Sequence, residues 1–231
     1  MSQPERYPGL RLAGAAIAFL AASWLFGGVA EDVVSGDPLT IVDVYVADWL
    51  HGHATPAVTG VMLAVTHAHG VIAISTYALL AAAYLAWKRD WYWLLCVGVA
   101  VPGGMILNAL TKLAFRRARP SFEHPLLDLA TYSFPSGHVA GATLFYGVLA
   151  AMLVGKCHTW RARALIVSLA LALIALVAAS RMYLGVHYLS DTIAAFAQAL
   201  AWLTLCLAAI DKYWNRRVEY AKSHVPPGAD R

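Results

Sequence analysis

The feature that most constrains this chain is a series of long apolar stretches that contain few charged residues. Of the 231 residues, 60% are hydrophobic and only 13% are charged, whereas about 25% of the residues are charged in an average soluble domain. Roughly 20 consecutive apolar residues form a helix that crosses a bilayer, and such a helix satisfies its own backbone hydrogen bonds. The sequence therefore predicts an all-α integral-membrane protein.

Six transmembrane helices are predicted, and they cover approximately residues 10–30, 58–87, 91–113, 139–154, 164–179 and 188–210. The first stretch ends in small residues, as a signal peptide does before its cleavage site, but its length favours an uncleaved helix. A polar segment follows it, and the apolar spacing of residues 39–50 predicts a short helix that lies along the membrane interface. Because no internal repeat is present, we predict one membrane domain over residues 1–231.

The lysine and arginine residues are distributed unevenly between the two ends of the predicted spans. Twelve of the 17 lie at one end, in the N-terminal segment, two connectors and the C-terminal tail of residues 212–231. The other five lie at the opposite end, and they are Lys112, Arg116, Arg117, Arg119 and Arg181. Because cytoplasmic segments carry an excess of such residues, both termini are predicted to be cytoplasmic and the opposite end extracytoplasmic.

The first polar cluster lies at the outer end of the third span and contains four cations between Lys112 and Arg119. An arginine binds phosphate oxygens through its forked guanidinium, and a lysine binds them as a point charge. The alternative is an interfacial patch that contacts lipid head groups. A cluster of cations on the outer side opposes the usual charge distribution, which favours a functional role.

The second polar cluster, residues 134–138, immediately precedes the fourth span. Its proline and glycine shape a tight entry into the helix, whose first amide groups have no intrahelical partner and therefore bind anions. Ser136 adds a hydroxyl donor, and His138 is placed to give a proton to a leaving oxygen. Taken alone, however, this segment is better explained as an ordinary serine N-cap beside an incidental histidine.

The third polar cluster, residues 180–191, joins the fifth and sixth spans. His187 and Asp191 are four residues apart, so they share one helix face, where the carboxylate can hold one imidazole nitrogen and leave the other as a nucleophile. The alternative is a polar helix end that anchors the span at the interface. All three clusters can meet at one membrane face, where together they would form a complete set of groups for phosphoryl transfer.

The spacing of the three clusters resembles the three-part signature of the type 2 phosphatidic acid phosphatase superfamily. This family includes membrane lipid phosphate phosphatases and the soluble vanadium haloperoxidases, and the six-span layout resembles the membrane branch. Every fixed position of the signature is matched within residues 112–191. The matching residues are Lys112, Arg119-Pro120, Pro135-Ser136-Gly137-His138, Ser180-Arg181, His187 and Asp191.

The resemblance implies a lipid phosphatase that works through a phosphohistidine. His187 is expected to attack phosphorus, and Asp191 is expected to hold its tautomer. His138 is expected to protonate the leaving oxygen and then to activate the attacking water. The groups expected to bind the phosphoryl oxygens are Lys112, Arg119, Ser136, Gly137 and Arg181, with Arg117 as a weaker candidate.

The resemblance also implies the partners of the chain. The expected substrate is a lipid mono- or diphosphate of the undecaprenyl diphosphate, phosphatidic acid or phosphatidylglycerophosphate class, and the outward site favours the polyprenyl carrier. The substrate would enter from the surrounding bilayer, and no nucleic acid partner is expected. No metal or other cofactor is expected either, because three cations take the electrostatic role that magnesium has in other phosphoryl-transfer enzymes.

Other functions fit parts of the same pattern. Transfer of the phosphoryl group to a second lipid would use the same residues. Halide oxidation with bound vanadate would also use them, although the spanning helices argue against it. A serine hydrolase would use Ser136 as its nucleophile, but no Gly-x-Ser-x-Gly elbow surrounds it. A transporter is disfavoured because no repeat symmetry is present, and a non-catalytic lipid-binding protein stays an alternative.

Two His-x-His pairs, His51 with His53 and His67 with His69, are also candidate metal ligands. A closed metal site needs at least one further ligand, and neither pair has one nearby in the sequence. We therefore predict no metal site. His67 and His69 are expected instead to line the outer end of the second span, near the polar clusters.

Overall fold

The computed structural model describes residues 8–127, 129 and 131–223, and within these residues all regular structure is helical. This confirms the predicted all-α class. The helices of the described part are α1 (Pro8–Ser35), α2 (Pro38–Gly52), α3 (Pro56–Ala68), α4 (Val71–Trp87), α5 (Trp91–Phe115), α6 (Gly137–Lys156), α7 (Trp160–Tyr183) and α8 (Leu189–Ser223).

Five of these helices are long and apolar enough to cross a membrane, namely α1, α5, α6, α7 and α8. Helices α3 and α4 pass the same test only as a pair, with a bend of 46° between them, so the described residues contain five or six candidate spans. The short helix α2 corresponds to the interfacial helix predicted over residues 39–50. The predicted all-helical membrane bundle is therefore confirmed, with five or six candidate spans among the described residues.

The second span differs from the prediction, because it is not one continuous helix over residues 58–87. It breaks at His69 and Gly70, where Gly70 has an extended backbone (φ −66°, ψ 168°) and starts α4 as its N-cap. Glycine is a poor helix former, and the imidazole Nδ1 of His69 lies 2.8 Å from the carbonyl oxygen of Val65. The break places Thr66 and Gly70 beside the polar residues of the neighbouring helices.

Helix α5 packs closely against α6 and α8 through two adjacent glycines, Gly103 and Gly104. A Cβ atom on Gly103 would lie 2.6 Å from the Trp202 ring, and one on Gly104 would lie 2.6 Å from the Leu144 side chain. Small residues let membrane helices approach closely where larger ones would separate them. Pro102 lies within the continuous helix.

Helix α8 continues to Ser223, past the end near residue 210 that was predicted for the last span. The first part of the predicted tail, residues 212–223, is therefore helical. Residues 1–7 and 224–231, which contribute to the charge asymmetry above, lie outside the described part of the chain.

Candidate active site

A tight turn after α7 places His187 directly before α8. Gly185 has a left-handed backbone (φ +69°), and the amide nitrogens of Gly185 and Val186 lie 2.9 Å and 3.2 Å from the carbonyl oxygens of Met182 and Arg181. This is the usual way in which a glycine ends a helix. A Cβ atom on Gly185 would lie only 2.8 Å from the Phe122 ring, so the turn also packs tightly against the 116–136 loop.

The His187 imidazole is 2% exposed and has a different partner on each ring nitrogen. Its Nδ1 lies 3.3 Å from Asp191 Oδ2, and its Nε2 lies 3.3 Å from Arg119 Nη1. Because a guanidinium N–H can only donate, Nε2 must be the acceptor and Nδ1 must carry the hydrogen. Burial lowers the pKa of His187 to about 4, although the hydrogen bond to Asp191 opposes this shift. The ring is therefore neutral at physiological pH, with the Nε2 lone pair directed towards Arg119.

The Asp191 carboxylate is fully buried and accepts hydrogen bonds from several directions. The hydroxyl of Ser133 donates to Oδ2, and the Tyr188 amide nitrogen donates to the same oxygen at 2.9 Å. The other oxygen, Oδ1, accepts from Arg117 Nη1 at 2.7 Å. The predicted pair of His187 and Asp191 is thus brought together, and its carboxylate is held in one orientation.

Two residues of this network, Ser133 and Asp43, were not singled out from the sequence. Ser133 Oγ also lies 3.4 Å from His187 Nδ1, and its position just before residues 134–138 was the only signal for it. Asp43 lies on α2 and was one of several acidic residues in a polar segment. Its Oδ2 accepts from Arg117 Nη2 at 2.7 Å. The interpretation of Arg117 as a phosphate ligand is therefore corrected, because its guanidinium lies between two carboxylates.

Lys112 and Arg119 hold the loop before α6 against the His187 turn. Lys112 Nζ donates to the carbonyl oxygens of Tyr132 at 2.7 Å and Ser133 at 3.1 Å. Arg119 Nε donates to the Thr131 carbonyl oxygen at 2.7 Å, and Arg119 Nη1 donates to the Val186 carbonyl oxygen. Arg119 thus lies beside His187, and Lys112 is close enough to interact electrostatically with Arg119 and Asp191. Both cations also have a structural role that the sequence did not indicate.

The N-terminus of α6 faces the same site. Ser136 is its N-cap and is completely buried, and its amide nitrogen donates to the Asp191 carbonyl oxygen at 3.0 Å. The next amides, at Gly137 and His138, belong to the first helical turn and have no intrahelical acceptor. His138 is close enough to interact electrostatically with Arg181 and His187. The second predicted cluster therefore joins the other two.

Several buried donors at this site have no hydrogen-bond partner within the described part of the chain. They are Nε and Nη2 of Arg181, the hydroxyl of Ser136 and the side-chain nitrogen of Asn108. Arg181 is 1% exposed, and its Nη1 donates to the hydroxyl of Thr66, a residue that the sequence did not single out. Buried donors are nearly always satisfied in native proteins, and a tetrahedral oxyanion between α6 and α7 would supply acceptors.

The remaining histidine predictions concern the two His-x-His pairs. His51 stacks on Phe122 with ring centroids 4.0 Å apart, and His53 stacks on Trp49 at 4.5 Å. His69 lies at the break between α3 and α4, where its Nε2 is 2.8 Å from the Tyr146 hydroxyl. Among the described residues, no three His, Cys, Asp or Glu side chains are grouped so that they would hold a metal ion.

Comparison with known protein families and curated proteins gives consistent matches. The family model described as PAP2 superfamily matches residues 91–215. Phosphatidylglycerophosphatase B of Bacillus subtilis is 31% identical over 147 residues, which cover 63% of this chain and 71% of that protein. Probable lipid phosphate phosphatase beta of Arabidopsis thaliana is 37% identical over 67 residues, which cover 24% of this chain and 32% of that protein.

Comparison with solved structures supports the same fold. A transmembrane PAP2-type phosphatidylglycerolphosphate phosphatase from Bacillus subtilis matches with a TM-score of 0.69 and 24% identity, over 87% of this chain and 96% of that chain. LpxE from Aquifex aeolicus matches with a TM-score of 0.55 and 20% identity, over 74% of this chain and 96% of that chain. The architecture described above is therefore that of known membrane proteins.

Proposed function

Since this chain belongs to the PAP2 superfamily, we propose that its active site removes the terminal phosphate of a lipid mono- or diphosphate through a phosphohistidine on His187. The chain is a multi-pass membrane protein of the lipid phosphatase class. The observation that carries the proposed mechanism is the arrangement of the His187 ring. Its Nδ1 side is held by Asp191, and its Nε2 lone pair is directed towards a cation.

In the first step, His187 Nε2 attacks phosphorus and the bond between phosphorus and the lipid oxygen breaks. His138 gives its proton to that leaving oxygen, so the lipid alcohol or lipid monophosphate departs neutral at this atom. Asp191 stabilises the positive charge that develops on the imidazole as the nitrogen–phosphorus bond forms. The position of His138 in the first turn of α6, within electrostatic range of His187, supports these two roles.

In the second step, water attacks the phosphohistidine. His138, now deprotonated, takes a proton from the water, the nitrogen–phosphorus bond breaks, and inorganic phosphate is released. If a lipid hydroxyl or phosphate took the place of water, the same site would act as a phosphotransferase. The two reactions share every protein group, so they are distinguished only by the acceptor.

The phosphoryl oxygens would be bound by Lys112, Arg119 and Arg181 together with the Ser136 hydroxyl and the Gly137 amide. The unpartnered donors on Arg181 and Ser136 support this assignment. Fixed donors of this kind stabilise charge that develops in the transition state, and the loss of one commonly costs roughly 10²–10³ in rate. No step of the proposed reaction needs a metal ion.

The distribution of lysine and arginine supports an extracytoplasmic site with both termini in the cytoplasm. The substrate would then be a lipid of the outer leaflet, with its head group at the site and its chains in the bilayer. The similarity to phosphatidylglycerophosphatase B makes phosphatidylglycerophosphate the first substrate to test. The other two lipids to test are undecaprenyl diphosphate, which an outward-facing site favours, and phosphatidic acid. These three lipids form the substrate panel.

The function is tested by phosphate release from this panel by detergent-solubilised protein. Wild type is compared with His187→Ala, His138→Ala and the matched control His158→Ala, which changes a histidine in the α6–α7 connector. We expect wild type and the control to release phosphate, and both site variants to be inactive or nearly so. Radiolabelled substrate should give an acid-labile, alkali-stable phosphoenzyme in wild type and in the control, but not in His187→Ala. A phosphoenzyme stable in acid would instead favour Ser136 as the nucleophile, and turnover by His187→Ala would refute the proposal.

A further inference from the structure

A buried chain of charges joins the interfacial helix α2 to the carboxylate behind His187. Asp43 is fully buried, although most of α2 is exposed or half-buried. Arg117 lies between Asp43 and Asp191, with Nη2 2.7 Å from Asp43 Oδ2 and Nη1 2.7 Å from Asp191 Oδ1. Three segments that are distant in the sequence therefore share one guanidinium.

Ser190 closes this chain of contacts into a network. Its amide nitrogen donates to Asp43 Oδ1 at 2.8 Å, and its hydroxyl donates to Asp43 Oδ2. The same hydroxyl accepts from Arg117 Nη1 at 2.7 Å. The Arg117 guanidinium also lies 4.4 Å from the centre of the Tyr188 ring. These contacts leave Arg117 little freedom to turn away from Asp191.

Buried ion pairs are weak evidence for stability, because well-packed apolar side chains often stabilise a protein equally well. Two carboxylates around one guanidinium are costlier still, since one negative charge is left over. The network is therefore better explained by what it does to Asp191. Arg117 binds Oδ1, so the other oxygen, Oδ2, is presented to His187 Nδ1.

We propose that Asp43 and Arg117 are positioning residues for the phosphotransfer site, an inference that rests on the role of His187 proposed above. Arg117 sets the orientation of the Asp191 carboxylate. Asp43 fixes the orientation of Arg117 and offsets its positive charge, so that the negative charge of Asp191 stays available to the imidazole. Through Asp43, helix α2 thereby helps to hold the His187 imidazole in its orientation.

The two residues have opposite electrostatic effects on His187, and this distinguishes positioning from a purely structural role. Loss of the Arg117 charge favours the protonated ring, whereas loss of the Asp43 charge disfavours it. Substitution of both residues removes one charge of each sign and returns the ring close to its original behaviour. The charged and titratable groups that act on His187 and stay unchanged in these variants are Asp191, Arg119, Arg181 and His138. Lys112 and Tyr188, which interact with Asp191, are also unchanged.

The experiment compares wild type with Asp43→Asn, Arg117→Met and the double variant. Asp48→Asn is the matched control, because Asp48 is an exposed carboxylate of the same helix. Histidine-ring ¹⁵N NMR of the full-length protein in detergent gives the tautomer and the titration of His187, with the signal assigned from His187→Ala. We expect Arg117→Met to raise the midpoint of the His187 titration and Asp43→Asn to lower it, each by roughly half a pH unit to one pH unit. The double variant and Asp48→Asn should match wild type.

Turnover provides the second measurement. With a lipid phosphate that wild type hydrolyses, Arg117→Met and Asp43→Asn should lower kcat roughly 10–100-fold, by analogy with partners that orient metal-binding histidines. KM and inhibition by inorganic phosphate should change less than about threefold, because neither residue is among the proposed phosphate ligands. The acid limb of kcat/KM should move in the same directions as the NMR midpoints.

The results separate this inference from the proposed function. If wild type releases no phosphate but the NMR midpoints move in opposite directions, the proposed function fails and the positioning role stands. If the midpoints stay fixed or move in the same direction, the positioning role is refuted even if His187 proves to be the nucleophile. If either Asp43→Asn or Arg117→Met fails to fold, the double variant still provides a test. A titration midpoint of His187 in the double variant that differs from the wild-type midpoint overturns the inference.

Discussion

The substitution Gly185→Ala tests whether the tight turn after α7 is needed to position His187 in the active site. Gly185 has φ +69°, and a left-handed backbone costs an alanine roughly 1–2 kcal/mol more than a glycine. The added Cβ atom would also lie 2.8 Å from the Phe122 ring. That ring cannot move away freely, because it also stacks on the His51 ring with centroids 4.0 Å apart. A forced contact of this kind typically adds about 1–3 kcal/mol.

We therefore expect Gly185→Ala to lower the free energy of unfolding by about 2–5 kcal/mol. His187 is two residues away, and a displacement of about 1 Å at a reacting group can cost 10²-fold in rate. The measurements are thermal unfolding in detergent and kcat/KM for the best lipid phosphate substrate.

Gly155→Ala is the matched control for this prediction. Gly155 lies near the end of α6, and a Cβ atom there would have no neighbour within 4 Å, so this change should be neutral or slightly stabilising. Gly185→Ala combined with Phe122→Ala should recover part of the lost activity, because it removes the close contact but leaves the backbone cost. If Gly185→Ala behaves like Gly155→Ala in both assays, the structural account of the turn is refuted.

Three further predictions concern the site itself. Asp191→Asn should lower kcat by roughly 10³–10⁴, because an amide can favour the wrong imidazole tautomer; single-turnover kinetics check this, and full phosphoenzyme formation would contradict it. Arg181→Met should lower kcat/KM by about 10²–10³ and weaken inhibition by inorganic phosphate, whereas unchanged inhibition would argue against a phosphate contact. Burial lowers the pKa of His187 to about 4, so the neutral ring needed for attack is fully present above pH 6.5 and is lost only as the pH falls through about 4. An acid limb of kcat/KM that remains near 6.5 with a substrate whose phosphate does not titrate there would contradict this.

The sequence was sufficient for the membrane class and for the residues that carry the signature. The length of an apolar stretch has a direct physical meaning in a bilayer, so most span ends were predicted to within about five residues. The exceptions are the break in the second span and the C-terminal end of α8. His187 and Asp191 were paired correctly because a spacing of four residues on a helix fixes their proximity. Convergence of the three clusters was an expectation, and the structure brings the predicted residues to one end of the bundle.

The rest could not be predicted, for identifiable reasons. Asp43, Ser133 and Thr66 contact site residues that are 54 or more positions away in the sequence, and no local pattern specifies which distant side chain will face them. The break at Gly70 was missed because a single glycine within an apolar stretch is compatible with a continuous membrane helix. The double role of Lys112 and Arg119 also depends on the path of the 131–133 loop, which has no periodic pattern.

The Arg119 guanidinium already has a hydrogen-bond acceptor for each of its N–H groups, and this affects how a substrate phosphate can bind to it. The five N–H bonds of Arg119 are directed at the carbonyl oxygens of Thr131, Tyr132 and Val186, the hydroxyl of Thr131 and the imidazole of His187. An incoming phosphate can therefore bind this arginine only by displacing one of these acceptors. If the phosphate takes the place of His187 as an acceptor of Arg119, the Nε2 lone pair of His187 is freed at the same time. Binding of the phosphate would then itself make the nucleophile available for attack.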